Sequence, residues 1–287
     1  MAYDESNIRT LSSIEHIRQR PGMYIGRLGN GSHPEDGIYI LLKEVIDNSI
    51  DEFMEGNGSK IVVTLEGQKC SVRDYGRGIP LNKLIECVSV INTGAKYDNE
   101  AFQYSVGLNG VGTKAVNALS SYFEITSWRE GEYMHAVFER GVLKQKKKGK
   151  GDEPNGTFVS FIPDDDPAIF GKYTYNEEYI KERLWNYAYL NKGLTITFNG
   201  KTIRSPGGLM DLVKKILGDD GLYPLINYKS KSLEFSFTHT NGYGESYHSY
   251  VNGQYTSDGG THEAAFKEGV LKGINEFFHK SWAAPEI

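Results

Sequence analysis

The sequence predicts an α+β fold, and three observations predict it. Apolar residues recur at Ile38, Leu41, Leu42, Val45, Ile46, Ile50 and Phe53, the period of a helix with one buried stripe. Residues 122–163 read instead as several antiparallel strands, with turns at residues 129–131 and at Arg140-Gly141. The 287 residues, 39% of them hydrophobic, are long for one domain, short for two full ones, and enough for a sizeable core.

The elements follow in order. Residues 1–11 are polar, with spaced Tyr3, Ile8 and Leu11, and read as an arm. Residues 13–20 form a short helix that Pro21-Gly22 stops. Ser32 or His33 caps the next helix, with Pro34 and Glu35 in its first turn, and Gly56-Asn57-Gly58 ends it near Glu55. Residues 60–65 and 69–73 make a hairpin around Glu66-Gly67, and residues 74–80 a tight loop at the strand's end. Residues 81–91 are helical. Residues 92–109 form a polar loop of the length that lids and binding loops have, and glycines open a helix over 111–119. After the antiparallel strands come a helix at 176–191, a hairpin of 194–198 with 201–204 around Asn199-Gly200, and a helix at 208–217. Gly218-Asp219-Asp220-Gly221 marks the domain boundary. Beyond it, strands at 233–238 and 246–251 flank Asn241-Gly242, and a helix follows Gly259-Gly260-Thr261. This tail of about 65 residues is near the lower size for an independent core, and reads as the start of a domain that the chain does not complete.

A net charge of −5 provides no global field for nucleic acid, so any such contact must be local or lie elsewhere. The one basic run, residues 144–150 (KQKKKGK), reads as a solvated hairpin loop ahead of Asp152-Glu153-Pro154-Asn155-Gly156. Cys70 and Cys87 lack metal-ligand spacing and fall in apolar strand and helix patterns, so they read as buried thiols. Without a signal peptide or long apolar span, the chain is expected to be soluble and cytoplasmic, with no membrane contact.

Three motifs carry chemistry. Glu44, Asn48 and Asp51 are spaced four and three apart and share a second stripe of the amphipathic helix. Glu44 has the chemistry of a base, and Asn48 and Asp51 offer oxygens to a hard cation, although a solvated helix face also looks like this. Asp74-Tyr75-Gly76-Arg77-Gly78-Ile79-Pro80 follows a strand. An Asp there can accept from an exocyclic amine such as adenine N6, while the glycines let backbone run beside a flat ring that Ile79-Pro80 covers; an ordinary Asp-Gly turn is the alternative. Gly107-Leu108-Asn109-Gly110-Val111-Gly112 precedes a helix, where absent Cβ atoms and unpaired N–H groups admit a polyphosphate. Residues 107–114 (GLNGVGTK) mimic a P-loop, but Thr113 and Lys114 stand in reversed order, which disfavours that reading. Together the motifs supply water activation, metal, base and phosphate binding.

These residues resemble a family. EVIDNSIDE (44–52), DYGRGIP (74–80) and GLNGVG (107–112) are similar to the three nucleotide-binding boxes of the GHKL ATPases. RPGMYIG (20–26), VNALS (116–120), Asn155-Gly156-Thr157 and GGTHE (259–263) resemble the B subunits of the bacterial type II topoisomerases, DNA gyrase and topoisomerase IV. EVIDNS and Gln103-Tyr104-Ser105 lean towards topoisomerase IV. The resemblance runs over essentially the whole chain. It implies a two-layer α/β sandwich with a mixed sheet and helices on one face, over residues 16–220. It also implies a dimerisation arm at 1–15 and an incomplete ribosomal-S5-domain-2-like transducer domain at 221–287. Implied roles follow position by position. Glu44 is the general base. Asn48 ligates Mg2+. Asp74 binds adenine directly and through a water shared with Thr157. Asp51, Arg77, Gly78, Ile79 and Pro80 line the base pocket. Gly107, Leu108, Asn109, Gly110, Val111, Gly112 and Thr113 wrap the phosphates of ATP, and Lys96 approaches the nucleotide. Arg129 sits at the pocket mouth where competitive inhibitors bind, and Tyr3 reaches into the partner subunit's site. The implied activity is ATP-driven homodimerisation that gates DNA passage, together with a topoisomerase A subunit.

Two departures stand out. Asn109 replaces the family's usual His. The Gln-Thr-Lys triplet that carries the family's γ-phosphate lysine is absent, so the chain reads as the N-terminal part of a larger protein. Two other readings remain. One is a kinase of the same superfamily, with His16 as phosphoacceptor. The other is a non-catalytic nucleotide-binding module.

Overall fold

Period-two patterning builds one large sheet. The computed structural model of the chain describes residues 10–93 and 110–282. Its first eight strands are β1 (Lys60–Glu66), β2 (Lys69–Asp74), β3 (Ser120–Arg129), β4 (Glu132–Glu139), β5 (Val142–Lys150), β6 (Gly156–Pro163), β7 (Thr195–Phe198) and β8 (Lys201–Ile203). Ile61 and Val63, Cys70 and Val72, Phe123 and Ile125, Ala136 and Phe138, Val159 and Phe161, and Ile196 and Phe198 are the buried alternates of their strands. The strands join in the order β5-β4-β3-β6-β2-β1-β7-β8, antiparallel except where β1 pairs with β7, so the sheet is mixed. The hairpin turns place Glu130-Gly131, Arg140-Gly141 and Asn199-Gly200 at positive φ, the twist that two-residue connections require.

Helices cover the buried face. In chain order they are α1 (Ser13–Gln19), α2 (Gly22–Ile25), α3 (Gly37–Met54), α4 (Leu84–Ser89), α5 (Gly112–Ala118), α6 (Glu177–Leu190) and α7 (Leu209–Leu217). The predicted stripe of α3 is the heart of the core: Ile38, Leu41, Leu42, Val45, Ile46 and Ile50 are buried, and α3 packs on β2, β6 and α5. Each such side chain contributes roughly 1.5–3 kcal/mol on full burial, which fixes the rotation of α3 and hence where its polar stripe lies. Asp47 ties α3 to α6 through the Tyr187 hydroxyl and pairs with Lys43 at 2.6 Å.

The chain divides between Thr240 and Asn241 into two compact units. The first unit ends in a hairpin of β9 (Ile226–Lys229) and β10 (Glu234–Phe237). The second holds β11 (Tyr250–Val251), β12 (Gln254–Tyr255) and α8 (Thr261–Trp282). No helix among the described residues is long and apolar enough to cross a membrane.

α1 ends at Gln19 with Arg20 as its C-cap, so Pro21-Gly22 does stop it, and Pro21 holds the N-cap position of the separate helix α2. Three local expectations are corrected. Neither Ser32 nor His33 caps α3. Asp36 holds that position, and its buried carboxylate turns back to accept from Gly31 N at 2.9 Å and to pair with Arg27 at 2.9 Å. The basic run is not a loop but strand β5, in register with β4 from Glu132–Lys150 to Glu139–Val142. The strands of the tail do not pair across Asn241-Gly242. β10 pairs with β9, and β11 with β12 around Asn252-Gly253, whose positive φ values of 48° and 80° make the tight turn.

Candidate active site

The polar stripe of α3 meets the start of α5. Asn48 Nδ2 donates to the Glu44 carbonyl at 2.7 Å and to Thr113 Oγ1 at 3.0 Å. Gly112 lies against the Glu44 carboxylate so closely that a Cβ there would stand 1.9 Å from Oε2. Only glycine permits this approach, and it brings Glu44, Asn48, Gly112 and Thr113 to one place. Asp51 follows on the same helix and is buried, 2% exposed. Val111 holds the N-cap position of α5, and Gly110 precedes it with φ 58°. Lys114 does not behave as a P-loop lysine: buried, it donates from Nζ to Thr93 O at 2.6 Å and to Gly110 O.

A second group forms at the end of β2. Asp74, 7% exposed, accepts through Oδ1 from Gly76 N at 2.9 Å and from Thr157 N, on β6, at 3.1 Å. Burial pushes its carboxyl up to about 6, against the lowering effect of these two bonds and of Arg73. The loop beyond is locked to the β3 end. Gly78 has φ +77° and packs so tightly that a Cβ would lie 2.4 Å from the Trp128 carbonyl. Ser127 Oγ donates to Ile79 O at 2.8 Å, and Arg129 Nη1 to Gly78 O at 3.4 Å. Ile79 packs partly on the core, and Pro80 is exposed at the N-cap of a 3₁₀ turn, Leu81–Lys83.

α3 joins the two groups through a residue that sequence reasoning passed over. Glu52 accepts from Arg77 N at 2.8 Å and Nε at 3.1 Å through Oε2, and from Nη2 at 3.0 Å through Oε1. Gly76 runs directly over the same carboxylate, its would-be Cβ 2.7 Å from Oε2. Twenty-five residues separate Glu52 from Arg77, so no periodic pattern pairs them; the only signal is a second acid beside Asp51. Arg73 was missed as well. Its guanidinium lies between the Tyr75 and Trp128 rings at 4.6 and 4.4 Å and bonds Pro154 O at 2.6 Å, which holds the strand turn behind Asp74.

Tyr3, Lys96, Gly107, Leu108 and Asn109 lie outside the described residues. His16 makes a packing contact, its Nδ1 2.6 Å from the Tyr24 hydroxyl. Cys70 and Cys87 are free thiols, and burial pushes Cys70 up to about 12. Among the described residues no three His, Cys, Asp or Glu side chains are grouped so as to hold a metal ion. The arrangement offers one buried carboxylate acceptor beside glycine backbone, and a second carboxylate with an amide beside a glycine-opened helix.

A family model for histidine kinase-, DNA gyrase B- and HSP90-like ATPases matches residues 33–167, and one for DNA gyrase B matches residues 196–286. The chain is 56% identical over 286 residues to the B subunit of DNA topoisomerase 4 from Borreliella burgdorferi, covering 99% of this chain and 47% of that protein. It is 36% identical to the B subunit of DNA gyrase from Thermus thermophilus, covering 98% of this chain and 47% of that one. The chain thus spans about half the length of the curated relatives it matches. Among solved structures it is similar to the 43K ATPase domain of Thermus thermophilus gyrase B in complex with an aminocoumarin. The TM-score is 0.76 and the identity 30%, over 96% of this chain and 76% of that one.

Proposed function

The chain belongs to the family of type II DNA topoisomerase B subunits, in their ATPase region, and from that premise we propose that it binds and hydrolyses Mg-ATP to drive strand passage in a topoisomerase IV-type enzyme. The observation that carries this reading is the approach of Glu44 to Gly112, with Asn48 bound to Thr113. In it, Glu44 orients and deprotonates the attacking water. Phosphoryl transfer depends on positioning and charge neutralisation more than on covalent chemistry, and a positioned base contributes ~10²–10⁴-fold. Asp74 accepts from the adenine amine, with Thr157 and Gly76 fixing its carboxylate. Gly78, Ile79 and Pro80 lie along the base, and Arg129 stands at the rim, where inhibitors reach it.

The residues fit a magnesium ion. Asn48 is held by its Nδ2 bonds beside Glu44 and Thr113, and its amide oxygen is a hard donor of the kind that magnesium takes. Nucleotide phosphates and water would complete its ligands, and the ion would supply neutralisation of phosphate charge.

The topoisomerase IV reading over gyrase is supported by the 56% identity to a topoisomerase 4 relative against 36% to a gyrase relative. The division into an arm at 1–15, an ATPase domain at 16–220 and the start of a transducer at 221–287 belongs to the same proposal. So do the ATP-dependent homodimer with Tyr3 in the partner's site, the A subunit, and the cytoplasmic location. Full-length protein reconstituted with its A subunit tests the reading. The expected enzyme decatenates and relaxes DNA without supercoiling it. Glu44→Ala is expected to lose turnover and to keep nucleotide binding within a few-fold; normal turnover in that variant defeats the assignment.

A further inference from the structure

The lysines of β5 are what the ATP site leaves unused. β5 is the edge strand of the eight-stranded sheet, and every residue from Val142 to Lys148 is exposed. Residues 132–150 hold six Lys and Arg against two Glu, a local charge of opposite sign to the chain's net −5. Both glutamates are already engaged, Glu139 by Lys144 at 3.4 Å and Glu132 by Lys148 at 3.2 Å. Lys146, Lys147 and Lys150 make no ion pair among the described residues.

We infer that β5 is a contact surface for the phosphate backbone of duplex DNA, an inference that rests on the proposed function and adds a DNA site within this chain. Three features of the strand favour this partner. First, the lysines stand on a hydrogen-bonded strand rather than a loop, so their spacing is fixed. Lys146, Lys148 and Lys150 share one face at steps of ~6.6–6.8 Å, twice the rise per residue of a strand. A duplex strand rises ~3.4 Å per phosphate along its axis, and the winding of the backbone sets neighbouring phosphates further apart than that, on the scale of the lysine steps. Secondly, protecting a sheet edge from strand addition needs only a charge or two, and β5 carries five lysines. Thirdly, the strand has no arginine and no aromatic residue, the side chains that fork onto base edges or stack on bases. Lysines alone bind as point charges, so the contact reads the backbone and not the sequence.

Anisotropy of a fluorescent 20-base-pair duplex, titrated with the 287-residue chain from 25 to 200 mM KCl, tests the inference. Each lost phosphate contact lowers the slope of log K against log[salt] by about 0.9, so the triple variant Lys146→Gln, Lys148→Gln, Lys150→Gln is expected to lose about 2–3 from that slope. Its affinity at 100 mM salt is expected to fall about tenfold or more, alike for duplexes of different sequence. A charge-matched control, Lys192→Gln, Lys201→Gln, Lys214→Gln, is expected to bind as the unmodified chain does. An unchanged slope in the β5 variant overturns the inference. So do an equal loss in the control, no duplex binding by the unmodified chain at 25 mM salt, or tighter binding to vesicles of anionic phospholipid than to duplex. Nucleotide binding, measured in parallel by thermal shift, separates the two proposals: its absence from the unmodified chain defeats the ATPase reading, whereas its retention beside failed DNA binding defeats only this one.

Discussion

Asp74 is the candidate base-binding residue, and its environment alters its chemistry. Buried at the end of β2, its carboxyl is pushed up to about 6, because two N–H bonds and Arg73 compensate only part of the lost hydration. The sign of the linkage follows. Below the ordinary carboxylate range both folded and unfolded states hold the proton, and burial costs little. As pH rises through that range to about 6, the unfolded chain ionises first, so the folded state loses stability, by about 3 kcal/mol in all. A ligand that donates a hydrogen bond to the carboxylate reverses this preference. The Asp74 carboxyl carbon, followed by NMR, is therefore expected to titrate near pH 6 in nucleotide-free protein and at lower pH once nucleotide is bound. A titration that nucleotide leaves unmoved would exclude Asp74 from the base contact.

At the scale of elements, Lys114 shows how α5 is held against the site. Its ammonium gathers two carbonyls, Thr93 O and Gly110 O, that are 17 residues apart in the chain. Lys114→Met leaves buried acceptors unpaired, at a cost of about 1–3 kcal/mol, so the nucleotide-free protein is expected to melt earlier as well as to bind nucleotide more weakly. Weaker binding with unchanged melting would instead restore the P-loop reading. The sequence disfavoured that reading from residue order alone, yet no pattern in it said where the ammonium goes. The same boundary between legible and hidden recurs elsewhere. The stripe of α3 and the Asp74 turn were readable, because apolar periodicity and glycine punctuation are local signals. Glu52 with Arg77, and Asp36 with Gly31, were not, because polar pairs meet only after the chain folds. β5 was misread for a related reason. Its KQKKKGK carries no alternation, and pairing with β4 overrides its low strand propensity.

Across the first compact unit, one buried acid ties together elements far apart in the chain. Asp164 follows β6 directly, and its side chain is wholly buried. Arg18 of α1 reaches it at 2.8 Å, and Arg140 of the β4–β5 turn approaches at 2.9 and 3.1 Å. Arg18 also donates to Ala118 O at the end of α5, so the N-terminal helix, the helix that abuts Glu44, and two strand ends share one charge cluster. Burial opposes ionisation of Asp164, but the bonds from Arg140 and Arg18 outweigh it and hold the carboxyl below its ordinary value. The resulting stability is present above the ordinary carboxylate range and disappears as pH falls through the depressed value. Asp164→Asn keeps the volume and removes the charge, leaving two partly exposed guanidinium groups that water can recover. It is expected to destabilise the fold by about 2–3 kcal/mol at pH 7, less than the ~3–5 kcal/mol of breaking a fully buried pair. It should also flatten the loss of stability as pH falls below the ordinary carboxylate range, as followed by urea unfolding. A variant that loses as much stability in acid, below the depressed carboxyl range, as at pH 7 would mean that packing, and not the charge, holds these elements together.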